Sequence, residues 1–154
     1  MMSYSEDWSF NYHAAKNPLS AEEAARRHSA RRRYAVASGA IDSPDAVILM
    51  TGNSALIEFF DDNRDDYLSL QFQEKRPGEL FLSMATYRKF RGGEKPISAV
   101  TFTFEEDGSG RIVEYDGATK GTKVRTVAPA NVSLNWEPYP QFGQYEGLLR
   151  VERS

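Results

Sequence analysis

From Tyr67 to Tyr87 apolar and polar positions alternate with a single interruption. Leu68, Leu70 and Phe72 alternate with Ser69, Gln71 and Gln73, Lys75-Arg76-Pro77-Gly78 breaks the pattern, and Leu80, Leu82 and Met84 resume it against Phe81 and Ser83. Period-2 alternation around a Pro-Gly turn predicts an antiparallel hairpin with one buried face. Upstream, Ala46 to Met50 is a continuous apolar run, Thr51-Gly52-Asn53 a turn, and Ala55, Ile57 and Phe59 alternate with Leu56, Glu58 and Phe60. Downstream, Val100, Phe102 and Phe104 alternate with Thr101, Thr103 and Glu105, Asp107 to Gly110 turns, and Arg111 to Tyr115 returns. Lys123 to Val127 reads as a short edge strand, Val132, Leu134 and Trp136 as a strand ended by Pro138 and Pro140, and Gly147 to Glu152 as a last one. The inward set is then Leu68, Leu70, Phe72, Leu80, Leu82, Val100, Phe102, Phe104 and Trp136.

A different period precedes these strands. Ser20 followed by Glu23 is a capping box, and Ala21, Ala24, Ala25, His28 and Ala35 fall on one arc at 100° per residue, which predicts a helix over 20–37 with Gly39 as its stop. Arg32 projects near the centre of that arc. Residues 1–18 carry Trp8, Phe10 and Tyr12 without any period, and read as an arm lying on the domain through those rings. The expected architecture is α+β: an arm over 1–18, then one domain over 19–154 in which the N-terminal helix packs on a mostly antiparallel meander of about eight strands, able to curl into a half-barrel.

Composition narrows the classes. At 154 residues the chain suits one domain, and the absence of cysteine removes disulfides, thiolate metal sites and a Cys nucleophile together. The first residues lack the basic and apolar regions of a signal peptide, and no apolar run approaches the roughly 18 residues that span a bilayer, so a cytoplasmic protein without membrane contact is expected. The net charge of −3 is uneven. Arg26, Arg27, Arg31, Arg32 and Arg33 against Glu22 and Glu23 give the helix region +3, leaving −6 for the remainder.

Candidate chemistry is sparse. His13 and His28 are the two histidines, and neither has a serine beside it in a nucleophile-elbow context. Asp61-x-Asn63-x-Asp65 copies the first three ligand positions of a calcium loop, but the sixth position is Asp66 instead of Gly and the twelfth is Phe72 instead of Glu. No metal and no cofactor are expected; Walker A and GxGxxG sequences are absent. The carboxylate groups Asp61/Asp62, Asp65/Asp66 and Glu105-Glu106-Asp107 all fall in loop or turn positions. Five arginines on one helix suggest phosphate binding, yet they spread around the helix and the acidic remainder repels a duplex, so nucleic acid is a minor alternative. Gln71, Gln73, Thr101 and Thr103 supply a second alternative, polar groups lining a curved-sheet cup for a small ligand. Trp136 to Tyr145, rich in aromatics and prolines, suits either a hot spot presenting Tyr139, Phe142 and Tyr145 or a cap that closes the sheet.

In architecture and charge the chain resembles bacterial polymorphic-toxin immunity proteins. The strand series from Ala46 to Glu114, the acidic run Asp61 to Asp66 and the closing segment Leu134 to Val151 carry the resemblance. It implies a non-catalytic inhibitor that binds a basic toxin domain and occludes its active site. Asp61, Asp62, Asp65 and Asp66 would then be the main contact, with Tyr139, Phe142 and Tyr145 beside them.

Overall fold

The computed structural model describes residues 1–92 and 95–153. It replaces the expected α+β architecture with an open, wholly antiparallel sheet: eleven strands account for 54% of the described residues, and one short α-helix together with a 3-10 turn for 8%. The strands are β1 (Met2–Ser9), β2 (Ala14–Leu19), β3 (Tyr34–Ala40), β4 (Ser43–Met50), β5 (Ser54–Phe60), β6 (Asp66–Arg76), β7 (Glu79–Lys89), β8 (Ser98–Phe104), β9 (Gly110–Asp116), β10 (Gly121–Val127) and β11 (Trp136–Pro138); the helix is α1 (Ala21–Ser29). From β3 to β10 each strand pairs with the next, β1 lies beside β3 and β2 outside β1, while β11 joins β7.

The helix is half its expected length for a local reason. Its start is as predicted, with the Glu23 amide donating to the Ser20 hydroxyl at 3.1 Å. Its end is a Schellman motif: the Arg31 amide donates to the His28 carbonyl and the Arg32 amide to the Arg27 carbonyl, with Arg31 in the left-handed region at φ 55°. Glycine usually holds that position, so an arginine there gives no sign of a stop. Gly39 instead lies beside the β3–β4 register shift, at φ 98°.

β3 was hidden inside the predicted helix because both of its faces are buried. Tyr34 and Val36 enter the main core while Ala35 and Ala37 enter a second cluster with Trp8, Val47 and Leu49. A strand covered on both sides loses its alternation, and alanines read as helix. The supposed arm is likewise the β1–β2 hairpin, with Trp8 buried in that second cluster. The predicted last strand is absent. Residues 144–149 turn instead, held by Leu148 and Leu149 amides on the Tyr145 carbonyl, and the segment from Val132 becomes a 3-10 turn (Ser133–Asn135) leading into β11.

The main core joins β3 to β7 with Ala24 of α1 and with Tyr145 and Leu148 from the C-terminal segment. Leu68, Leu70, Phe72, Leu80 and Leu82 are buried as predicted, but Val100, Phe102, Phe104 and Trp136 are half-buried. The cause is a bend in β7. Gln71 pairs with Met84 and Phe72 with Leu82, which leaves Ser83 as a bulge. Beyond it, Met84 to Lys89 pairs with β8, whereas Glu79 to Phe81 pairs with β11. At that bend β8, β9 and β10 leave the body as a wing whose strand-to-strand contacts are with ladder neighbours, with Phe104 of β8 still packed against the main core.

Candidate functional site

The acidic loop joins β5 to β6 and is locked by its own hydrogen bonds. Asp61 Oδ1 accepts from the amides of Asn63 (2.9 Å) and Asp65 (3.0 Å), and the Asp61 amide donates to the Asp65 carbonyl. That carboxylate therefore caps the loop's backbone. Asp66 lies 3.6 Å from Arg88 on β7. Asp62 and Asp65 remain without an ion pair among the described residues, so two of the four predicted carboxylates face outward uncommitted. Beside them an open cleft of about 1020 Å³ runs between the β1–β2 turn and this loop, lined by Phe10, His13, Phe60, Arg64, Asp65 and Asp66 among others. No group of three or more acidic or histidine side chains gathers at metal-binding spacing among the described residues.

The aromatic-proline segment turns inward, against the expectation that its tyrosines are presented to a partner. Tyr145 is fully buried, Phe142 stacks on Tyr4 at 5.1 Å, and Tyr139 donates its hydroxyl to the Gly52 carbonyl beneath the Arg31 guanidinium. A hydrogen-bonded chain ties this lid down. The Pro140 carbonyl can only accept, so His28 donates to it through Nε2 at 2.9 Å; the other ring nitrogen then accepts from Tyr34 at 2.7 Å, and Tyr34 from Tyr145 at 3.0 Å. Burial pushes the Tyr145 phenol up to about 12, raises Tyr34 further, and holds His28 below its ordinary value. Each ring is a neutral structural group at pH 7. His28 fastens the lid.

The arginines are also committed. Arg26 pairs with Glu22 and Glu23, Arg27 with Glu6, Arg31 with Glu74 and Arg33 with Asp7. Of the five, Arg32 alone makes no ion pair among the described residues, so no phosphate-binding stripe forms.

A buried polar cluster escaped the sequence reading. Glu58 of β5 accepts from the Ser69 hydroxyl, with Arg88 at 3.8 Å and Asp66 beyond it. Burial raises the Glu58 carboxyl to about 6, against the pull of Ser69 and Arg88. The signal was present. β5 is apolar on both faces, and Glu58 is the one charge in it.

The wing carries the remaining surface. Met84, Tyr87, Ile97, Tyr115, Val124 and Val127, on the wing or where it joins the body, are each exposed by more than a third. Cross-strand partners share a face, so Tyr87, Val100, Phe102 and Ile112 form one side, with Phe102 edge-on to Tyr87 at 6.1 Å. Met84, Thr103, Arg111 and Thr126 lie on the other. There an open depression of about 470 Å³ includes Gln71, Gln73 and Thr103, three of the four predicted cup residues; Thr101 instead bonds Thr86 at 3.0 Å. Comparison with protein-family models, with curated proteins and with solved structures finds no match.

Proposed function

We propose that this chain is a non-catalytic protein-binding module of the immunity type, which neutralises a toxin-like enzyme by covering its active site. The observation that supports it is the wing: β8 to β10 extend past the closely packed body to a fully exposed edge strand, and several large apolar side chains there are exposed by more than a third. Apolar area grouped in this way is what a partner buries. The locked acidic loop adds a pre-organised pair of carboxylates, Asp62 and Asp65, whose field speeds encounter with a basic partner. Tyr145 is buried and serves the core, while Tyr139 and Phe142, partly buried against it, are committed to intramolecular contacts first.

The test begins with affinity capture of the partner from native lysate. Tyr87→Ser and Tyr115→Ser, on opposite faces of the wing, should then separate: the variant on the bound face raises the off-rate, the other leaves it unchanged. Turnover of a small substrate by the purified chain would overturn the reading. In that case the depression around Gln71, Gln73 and Thr103 is the place to look, since it already gathers polar groups on a curved surface.

A further inference from the structure

Two strands close the sheet, and their free edges differ. β2 is interrupted, because Asn17 lies in the left-handed region at φ 55° and Pro18 has no N–H to offer. Both features blunt an edge. β10 has neither. Its seven residues pair with β9 one for one, from Gly121 opposite Asp116 to Val127 opposite Gly110, and all seven are exposed. Thr122, Val124, Thr126 and Val127 are β-branched and favour the extended chain. Alternate residues of such a strand turn N–H and C=O groups outward, a ready template for one more strand.

Charge decides what can add. Lys123 and Arg125 stand on one face of β10; on β9, Glu114 lies opposite Lys123 and pairs with Arg125 at 3.0 Å. Asp116 shares that face two residues from Glu114, so the two strands balance in charge, but β10 itself carries two cations and no carboxylate, and these are what an added strand would lie beside. A second copy adding by a two-fold axis through the sheet would pair residues of like face. Centred on Val124 it sets Lys123 against Arg125 twice; centred on Lys123 or on Arg125 it sets that cation against its own copy. Like charges directly opposite are destabilising, so self-pairing is opposed in these three central registers, the ones that pair most of the strand.

The geometry points to β10 as an acceptor edge for an extended acidic segment of a partner protein, adding antiparallel with two carboxylate side chains, two residues apart, opposite Lys123 and Arg125. Apolar or β-branched residues on the alternate positions then lie beside Thr122, Val124 and Thr126 on the other face. Main-chain hydrogen bonds supply affinity and the two carboxylates the choice of partner. This rests on the reading of the chain as a protein-binding module and gives that partner its chemistry.

The full chain is titrated with two capped peptides, Thr-Val-Glu-Val-Glu-Val-Thr and Thr-Val-Lys-Val-Lys-Val-Thr, while amide shifts and exchange are followed residue by residue. The acidic peptide should bind at least about tenfold more tightly and protect amides of β10, a preference set by charge pairs across the new ladder. Lys123→Glu/Arg125→Glu should reverse the preference while circular dichroism stays unchanged. If that variant does not fold, Lys123→Gln/Arg125→Gln should abolish the preference. The inference is overturned if both peptides bind the wild type equally, if neither binds at millimolar concentration, if protection falls outside β10, or if β10 becomes protected by concentrating the protein alone. A partner captured equally by wild type and by K123E/R125E overturns the edge site and leaves the binding-module reading standing.

Discussion

β6 and β10 are antiparallel strands of one sheet, yet one is sealed and the other open. Leu68, Leu70 and Phe72 of β6 are buried in the main core with Tyr145 and Leu148 of the C-terminal lid, whereas all of β10 is exposed. Both alternate in the sequence, and Lys123 to Val127 already reads there as an edge strand. The difference lies in what the chain places over each. α1 packs on β1 to β3 and the C-terminal lid on the core of β3 to β7, while beyond the Ser83 bulge the wing meets that core through Phe104, so the same hairpin device yields core on one side and largely free surface on the other.

The sharpest way to break this comparison is a matched pair of truncations. Phe72→Ala should cost about 3–5 kcal/mol, and Phe102→Ala, half-exposed on the wing, roughly half that or less, both read by denaturant titration. Equal losses would show that the wing is core after all. The lid gives the next effect. Tyr34→Phe removes the hydroxyl that serves both His28 and Tyr145 and should cost about 1–3 kcal/mol, while Tyr145→Phe should cost less because Tyr34 keeps its bond to His28.

Glu58 gives a smaller and pH-dependent effect. Its folded carboxyl lies near 6 against an ordinary 4.5, so the folded state binds the extra proton between those values. Stability from this group is full below 4.5 and is lost as pH rises through 6, a loss of about 2 kcal/mol. Glu58→Gln should abolish that component. His28, held low by burial, acts in the opposite sense: what it contributes is lost as pH falls, so the difference between wild type and E58Q isolates Glu58. A thermal-melt series with no such difference would remove the buried carboxylate from the body's account. Smallest of all is Asp62→Asn/Asp65→Asn. Neither side chain has an ion-pair partner among the described residues, so the melting temperature should hold within the ~0.5 kcal/mol typical of surface changes, while association with the captured partner slows most at low salt. An unchanged rate and salt dependence would take the loop out of the interface.

Legibility in the sequence followed the reach of each signal. The hairpins β6–β7, β4–β5 and β8–β9 were readable because a turn and the alternation on either side of it lie within some twenty residues, and the Ser20–Glu23 cap because it spans four. β1 and β3 were not, since strands buried on both faces, or led by a ring such as Trp8 that serves a second cluster, lose the period that announces them. Arg31 hid the helix end by taking a glycine's conformation.

The candidate surface was less legible than the fold. The run Asp61 to Asp66 could be read as an exposed loop, but that Asp61 caps its own backbone and Asp66 faces Arg88 depends on how β5, β6 and β7 align. The sequence by itself determined local matters: where turns fall, which residues alternate, where the helix begins, and that charge divides into a basic stretch and an acidic remainder. Only the tertiary structure decided which faces are covered. That choice drew Tyr139, Phe142 and Tyr145 against Arg31, His28 and the main core, and set Glu58 in a dry pair with Ser69, whereas the edge position of β10 was already readable from Lys123 to Val127. The physical reason is that alternation records which residues can be buried together, while burial itself requires a second layer, supplied here by segments more than a hundred residues apart in the chain.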